Sequence, residues 1–131
     1  MAESAAPRSK LFVYGTFRKG ERNHDQLSGA EFIGAALTAP RYRLVDLTVY
    51  PALIAGRMAV IGELYWVDRE LRRKLDVTEQ CPYLFQREAI ELSDGEQVEA
   101  YVMRDEQVRG RRRLHVGDWK QRFAPRFGPP R

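Results

Sequence analysis

Leu11-Phe12-Val13-Tyr14-Gly15-Thr16-Phe17 is the stretch that decides the fold of this chain. Four consecutive apolar and aromatic residues suit a buried strand, and Gly15 suits the turn that ends it. Beyond the turn, Gly15-Thr16-Phe17-Arg18-Lys19-Gly20 has the glycine spacing of a phosphate-binding loop. Glu21-Arg22, however, stand where a Lys-Ser/Thr pair must follow to reach phosphate and magnesium, which excludes nucleotide binding of that kind. What remains is a glycine turn at a strand end, whose freed backbone N–H groups can converge on an anion or a developing oxyanion. An ordinary structural turn fits the same residues.

Outward from this strand, Asn23-His24-Asp25 before Leu27 predicts a short capped helix or a turn, and Gly29 and Gly34 punctuate the chain beyond it. Phe32 to Leu47 reads as broken β-structure, with partial alternation over Arg41 to Val45 and a turn at Tyr50-Pro51. Met58 to Val67 is apolar enough for a central strand buried on both faces, with Gly62 marking a bulge or a close backbone approach. Asp68 is a good N-cap, and Leu71 and Leu75 share one face of an otherwise charged segment, so Asp68 to Val77 predicts an amphipathic helix ending near Thr78-Glu79. Pro82 prevents its continuation. Leu84 to Leu92 and Gln97 to Met103 then flank Ser93-Asp94-Gly95-Glu96, a hairpin signal centred on Asp-Gly.

The 131 residues, 44% hydrophobic and 31% charged, suit one globular domain rather than a disordered or fibrous chain. The division we expect is a flexible N-terminus over 1–9, a domain over 10–122 and a flexible basic tail over 123–131. Basic and acidic residues number 13 and 15 up to Met103, but 9 and 3 from Arg104 onward, so the net charge of +4 belongs to the C-terminal end. Arg109 to Arg113 and the tail could touch phosphate non-specifically, but a solvated basic terminus is the simpler reading, and no nucleic-acid partner is expected. No stretch is apolar enough to span a membrane, Met1 to Lys10 lacks a signal peptide's apolar region, and Cys81 is the only cysteine. A cytoplasmic protein without membrane partners is the expectation.

Among residues that could carry chemistry, Cys81 and His115 would have to meet as thiol and base, and their spacing gives no reason to expect that; Cys81 reads as packing. His24 and His115 are too few and too far apart for a metal site, so no metal is expected. Glu79 follows an apolar helix face and precedes Cys81-Pro82-Tyr83-Leu84-Phe85, surroundings able to desolvate a carboxylate and raise its pKa toward the range useful for proton transfer. A solvated helix-end glutamate, or one paired with Arg87, fits the same pattern.

A family resemblance separates these readings. Val13-Tyr14-Gly15-Thr16-Phe17 resembles the Tyr-Gly-Ser/Thr-Leu signature of the γ-glutamylcyclotransferase-like, AIG2-like family. Leu75-Asp76-Val77-Thr78-Glu79-Gln80-Cys81-Pro82 with Phe85-Gln86-Arg87 is similar to its Leu-Asp-x-x-Glu-Gly-x-Pro and Tyr-x-Arg segments. Weaker matches at Asn23-His24, Tyr50-Pro51, Gly62 to Tyr65, Tyr101-Val102 and Gly117 to Trp119 extend it over Leu11 to about Trp119. The resemblance implies an α+β fold, a single compact domain built on a mixed β-barrel with a few short helices. It also implies a reaction in which the α-amine of a small γ-glutamyl substrate attacks its own γ-carbonyl and releases 5-oxoproline and an amine, without a cofactor. Glu79 would be the catalytic acid/base, and the backbone of Tyr14, Gly15, Thr16 and Phe17 would bind substrate. Phe17, Gln80 and Phe85 depart from the usual leucine, glycine and tyrosine. A non-catalytic protein binding a small ligand on the same fold is the alternative.

Overall fold

The computed structural model describes residues 7–123. Its elements are β1 Arg8–Val13, β2 Glu31–Leu37, β3 Tyr42–Asp46, β4 Pro51–Ala55, β5 Ile61–Asp68, α1 Arg69–Thr78, β6 Gln86–Glu91, β7 Gln97–Val102 and β8 Arg112–Arg113. Short 3-10 turns cover His24–Leu27, Asp105–Val108 and Trp119–Gln121. The architecture is α+β in a single domain, with one mixed sheet and one α-helix. No helix among the described residues is long and apolar enough to cross a membrane.

Strand β1 lies in the middle of the sheet, whose order is β2-β5-β1-β7-β4-β3-β8, with β6 on the other side of β7. β1 runs antiparallel to β5 and parallel to β7, and β7 is also parallel to β4 where Leu53 faces Val102. Side chains alternate across a strand, so the run 11–14 divides between two cores. Leu11 and Val13 join Val67, Leu75 and Phe85 on the face covered by α1, while Phe12 and Tyr14 join Leu64, Ile90, Val98 and Trp119 on the other. Uniform apolarity in the sequence therefore reflects burial on both sides of the sheet.

The closed barrel that the resemblance implies is not formed. Strands β2, β5, β1, β7 and β6 curl into a ring, but its last gap is crossed only by the isolated bridge between Thr38 and Leu92. The ladder does not extend there because the Glu91 N–H goes to the Tyr42 hydroxyl at 2.8 Å and the Ala39 carbonyl takes the Arg41 N–H at 2.8 Å, which uses up the groups of the next rung.

Two boundaries also move. β1 begins at Arg8, inside the expected N-terminal arm, because Arg8 and Ser9 pair with Asp68 and Val67 and their side chains bond Glu31 and Glu99. The expected tail, apart from Phe123, falls outside the described residues. β5 begins at Ile61 rather than Met58, since Met58 bridges to Tyr42 and Val60 to Thr38. Gly62 marks a close approach: a Cβ there would lie 2.3 Å from the Val13 carbonyl oxygen and 2.6 Å from the Phe12 ring. The register shift falls instead on β2, between Phe32 and Gly34. The Asp94-Gly95 turn joins β6 to β7, with Gly95 at φ +91°.

Candidate active site

α1 begins where the Asp68 carboxylate accepts the Leu71 N–H at 2.8 Å, and it packs Leu75 fully into the core. Its last turn ends at Glu79, whose N–H donates to the Leu75 carbonyl at 2.8 Å. The next residue, Gln80, has φ +55°, a left-handed conformation that favours glycine. The chain thus makes this sharp helix exit with a residue poorly suited to it.

Tyr14, Gly15, Thr16, Phe17 and Glu79 come together on one cavity of about 230 Å3. Phe12, Val13, Phe85 and Tyr101 supply much of its apolar wall, and Tyr50, Pro51, Arg22, Asn23 and Thr78 complete it. Burial pushes the Glu79 carboxyl from 4.5 up to about 7. No hydrogen bond or ion pair engages its side chain among the described residues. The pairing with Arg87 that the sequence allows is not made, because Arg87 bonds Asp76 and reaches Glu99 at 3.4 Å. Asp76 also accepts the Tyr101 hydroxyl at 2.7 Å, which fixes that ring against the cavity. The neighbouring carboxylate is therefore fully partnered, while Glu79 is left to face the cavity.

The loop after β1 is held from several sides. Asn23 donates its backbone N–H to the Thr16 carbonyl and its amide to Thr16 Oγ1, both at 3.0 Å. His24 Nδ1 sits 2.9 Å from the Phe17 carbonyl oxygen. Buried Arg18 bonds Asp118 at 2.7 Å and lies 3.6 Å from Glu63, and Glu63 accepts the Lys19 N–H at 3.0 Å. Arg18 and the Lys19 backbone, which lie between the two glycines of that spacing, are thus used to anchor the segment. Among the described residues no acceptor meets the backbone N–H groups of Gly15, Thr16 or Phe17, so they are available to a ligand. The Tyr14 hydroxyl is not: it donates to the Tyr101 carbonyl at 2.5 Å and accepts the Leu53 N–H at 3.2 Å, tying β1 to β7 and β4. Burial, then the charge of Glu79, raises its pKa.

Gly15 is required for a reason that sequence does not carry. A Cβ there would stand 2.5 Å from Cγ of Pro51, so the close neighbour is the protein's own ring rather than a ligand. Arg22 lines the cavity without any mark in the sequence, while Tyr101 and Tyr50-Pro51 are marked there only by weaker family matches, the latter also as a turn. Nothing local distinguishes them, because they reach the cavity from three separate elements. Cys81 is half-buried beside the site, and burial pushes its thiol up to about 11, which keeps it protonated and poorly nucleophilic at neutral pH. A larger groove of about 520 Å3 between β4, β6 and β7 holds Glu88 already paired to Arg104 at 3.1 Å. Among the described residues, no three His, Cys, Asp or Glu side chains gather as a metal site would require.

The family model described as gamma-glutamyl cyclotransferase, AIG2-like, matches residues 11–121. The chain belongs to the γ-glutamyl cyclotransferase, AIG2-like family. Members of this family are enzymes of the cyclotransferase type. A Vibrio cholerae protein, named provisionally as a γ-glutamylcyclotransferase, is 39% identical over 86% of this chain and 96% of its own length. γ-Glutamylaminecyclotransferase A of Danio rerio is 38% identical over 70% of this chain and 66% of its own. Among solved structures, an AIG2-like protein from Mus musculus superposes with a TM-score of 0.68 at 31% identity, over 73% of this chain and 77% of that one.

Proposed function

We propose that this chain releases 5-oxoproline from γ-glutamyl amides, with Glu79 as its single acid/base. The observation that carries the reading is an unpartnered carboxyl, raised to about 7, on the same cavity as a loop with free N–H groups. The substrate's α-amine nitrogen attacks its own γ-carbonyl carbon. A C–N bond forms to close the five-membered ring, and the C–N bond to the amine half breaks; no water is consumed. Because nucleophile and target share one molecule, holding them in a reactive geometry supplies much of the acceleration.

Proton movement is the task left to the protein. Ionised Glu79 takes a proton from the α-ammonium, making the amine nucleophilic, and the resulting carboxylic acid gives that proton to the departing nitrogen; the carboxylate so regenerated takes the second proton that the ring nitrogen loses on becoming the lactam N–H and passes it to the released amine, which leaves as an ammonium. A pKa near neutrality lets one group perform both halves. The N–H groups of Gly15, Thr16 and Phe17 hold the substrate α-carboxylate or the oxyanion of the tetrahedral intermediate. The lone, protonated Cys81 fits a reducing compartment, and we place the reaction in the cytoplasm.

The test is a product screen. γ-Glutamyl-ε-lysine, γ-glutamyl dipeptides, γ-glutamyl alkylamides and glutathione are incubated with the protein, and 5-oxoproline is measured by mass. At least one should give product with the wild type and far less with Glu79→Gln. Ligand binding without any 5-oxoproline would make the chain a binding protein on the same fold.

A further inference from the structure

Strand β2 is an unguarded edge. The sheet order leaves it with β5 on one side and, among the described residues, no strand on the other over 31–36. On that outer side the Leu37 carbonyl takes the Ser93 N–H at 2.8 Å and the Ala39 N–H goes to the Glu91 carbonyl at 2.9 Å, so the β6–β7 hairpin closes the edge only from Leu37 onward. Alternation along the strand then points the Ala35 N–H and carbonyl to the same open side. Free edges are normally protected by lysine, proline or an inward-pointing charge. Between Glu31, which is already paired with Arg8 at 3.0 Å, and Leu37, β2 carries no charged residue and no proline. Its register shift between Phe32 and Gly34 leaves Ile33 at the surface.

Apolar surface gathers at the same edge. Among the described residues eight large hydrophobic side chains are exposed, and four of them, Phe32, Ile33, Leu37 and Ile61, lie on β2 or directly opposite its end, where Leu37 faces Ile61. Phe32 faces Tyr65 in the same ladder, so Phe32, Leu37 and Ile61 share one side of the sheet. Charge frames the strand unevenly. At its head the Lys19 ammonium lies over the Phe32 ring at 3.3 Å. At its tail Asp94 follows Ser93, and its carboxylate accepts the Glu96 N–H at 2.9 Å. Among the described residues neither Lys19 nor Asp94 takes part in an ion pair.

We infer that β2 pairs antiparallel with the β2 of a second copy of this chain, joining two sheets into one. Two identical strands in an antiparallel pair are related by a twofold axis, so a single apolar edge is its own complement. The head of each strand then meets the tail of the other, which sets Lys19 of each copy toward Asp94 of the other. That complementarity of charge favours a second copy over an unrelated strand, since the copy presents an equally uncharged edge with the opposite charge at the matching end. The pairing satisfies the outward Ala35 groups and removes Phe32, Ile33 and Leu37 from water. It does not depend on the proposed reaction, because no β2 residue lines the Glu79 cavity.

Sedimentation equilibrium of the full chain, over a concentration series from micromolar to submillimolar, reads the pairing directly. The mass should move from 15.2 kDa toward twice that value as concentration rises. Ala35→Pro removes the outward N–H while sparing the ladder to β5, and should hold the monomer mass throughout, with circular dichroism confirming the fold. Lys19→Asp and Asp94→Lys should each raise the dissociation constant about threefold to tenfold through two symmetry-related contacts. The double variant, which exchanges the charges, should return it close to the wild-type value. A wild type that stays monomeric overturns the inference and leaves the edge to a strand of another protein. A dimer that persists in folded Ala35→Pro also overturns it, since the interface then lies elsewhere. Should Ala35→Pro fail to fold, the charge exchange decides: weakening by each single variant with recovery in the double sustains the pairing, and unchanged association or a double variant without recovery refutes it.

Discussion

Replacing Glu79 with glutamine should disable the enzyme and stabilise the fold in alkaline solution, and the two effects have one cause. Folding raises the carboxyl from 4.5 to about 7 by burial, so between these values the folded state holds a proton that the unfolded state has released. Stability from this group therefore falls as pH rises through that window; the penalty is absent below about 4.5 and complete above about 7. At about 1.4 kcal/mol per pH unit, the shift sets a ceiling of about 3 kcal/mol. Water entering the cavity beside a half-buried side chain reduces this, and about 1 to 2 kcal/mol is the expected gain for Glu79→Gln. Denaturant unfolding of both proteins at pH 4.5 and at pH 8.5 measures it: the curves should nearly coincide at the lower pH and separate at the higher, the variant being more stable. In kinetic assays, wild-type kcat/KM should rise with pH through about 7 as Glu79 ionises. The variant should lose about a hundredfold to ten-thousandfold in rate. A variant less stable than wild type at pH 8.5, or a stability difference independent of pH, would refute the claim that Glu79 is a desolvated, unpartnered acid.

Three further variants probe its surroundings. Gly15→Ala forces a methyl group against the Pro51 ring and should cost about 1 to 3 kcal/mol by overpacking, read from the denaturation midpoint; an unchanged midpoint would mean that the loop yields freely. Gln80→Gly removes the strain at φ +55° and should gain about 1 kcal/mol, visible as a higher melting temperature with activity retained. Cys81→Ser should keep turnover within the wild-type order of magnitude, since the thiol stays protonated, and substrate-protected inactivation by an alkylating agent would contradict this.

Much of the fold is legible in the sequence because burial leaves local marks. The apolar run at 11–14 marks a strand between two cores, Asp68 with Leu71 and Leu75 marks the helix, and Asp94-Gly95 marks the hairpin. The openness of the ring is not legible, because it depends on the Glu91 N–H going to the Tyr42 hydroxyl and the Arg41 N–H to the Ala39 carbonyl rather than to a further rung, a choice made by the tertiary fold. The site divides in the same way. The loop and Glu79 lie in contiguous motifs, whereas Tyr101, Pro51 and Arg22 come from separate elements, the first two marked only by weaker family matches and Arg22 not at all. Gly15 shows the difference within one residue: the turn is visible in the sequence, but the Pro51 ring that forbids a side chain is 36 positions away.

Under the proposed mechanism, the distribution of charge near the cavity would let a single group carry the proton. Placing an ionisable group at a helix end in an apolar pocket is costly unless it is paired, and the chain pairs its other candidates. Arg18 holds Glu63 and Asp118 beneath the loop, and Arg87 holds Asp76 and Glu99 behind α1. These pairs have mechanical roles, since one set anchors the segment 15–20 and the other fixes Tyr101 and the end of the helix. Had Arg87 turned to Glu79, the carboxyl would have been driven toward permanent ionisation and could not have returned a proton to a departing amine. Asp76, by accepting both Arg87 and the Tyr101 hydroxyl, keeps the cation away from the cavity. Burial raises the Glu79 carboxyl, and the capture of Arg87 by Asp76 leaves that shift unopposed.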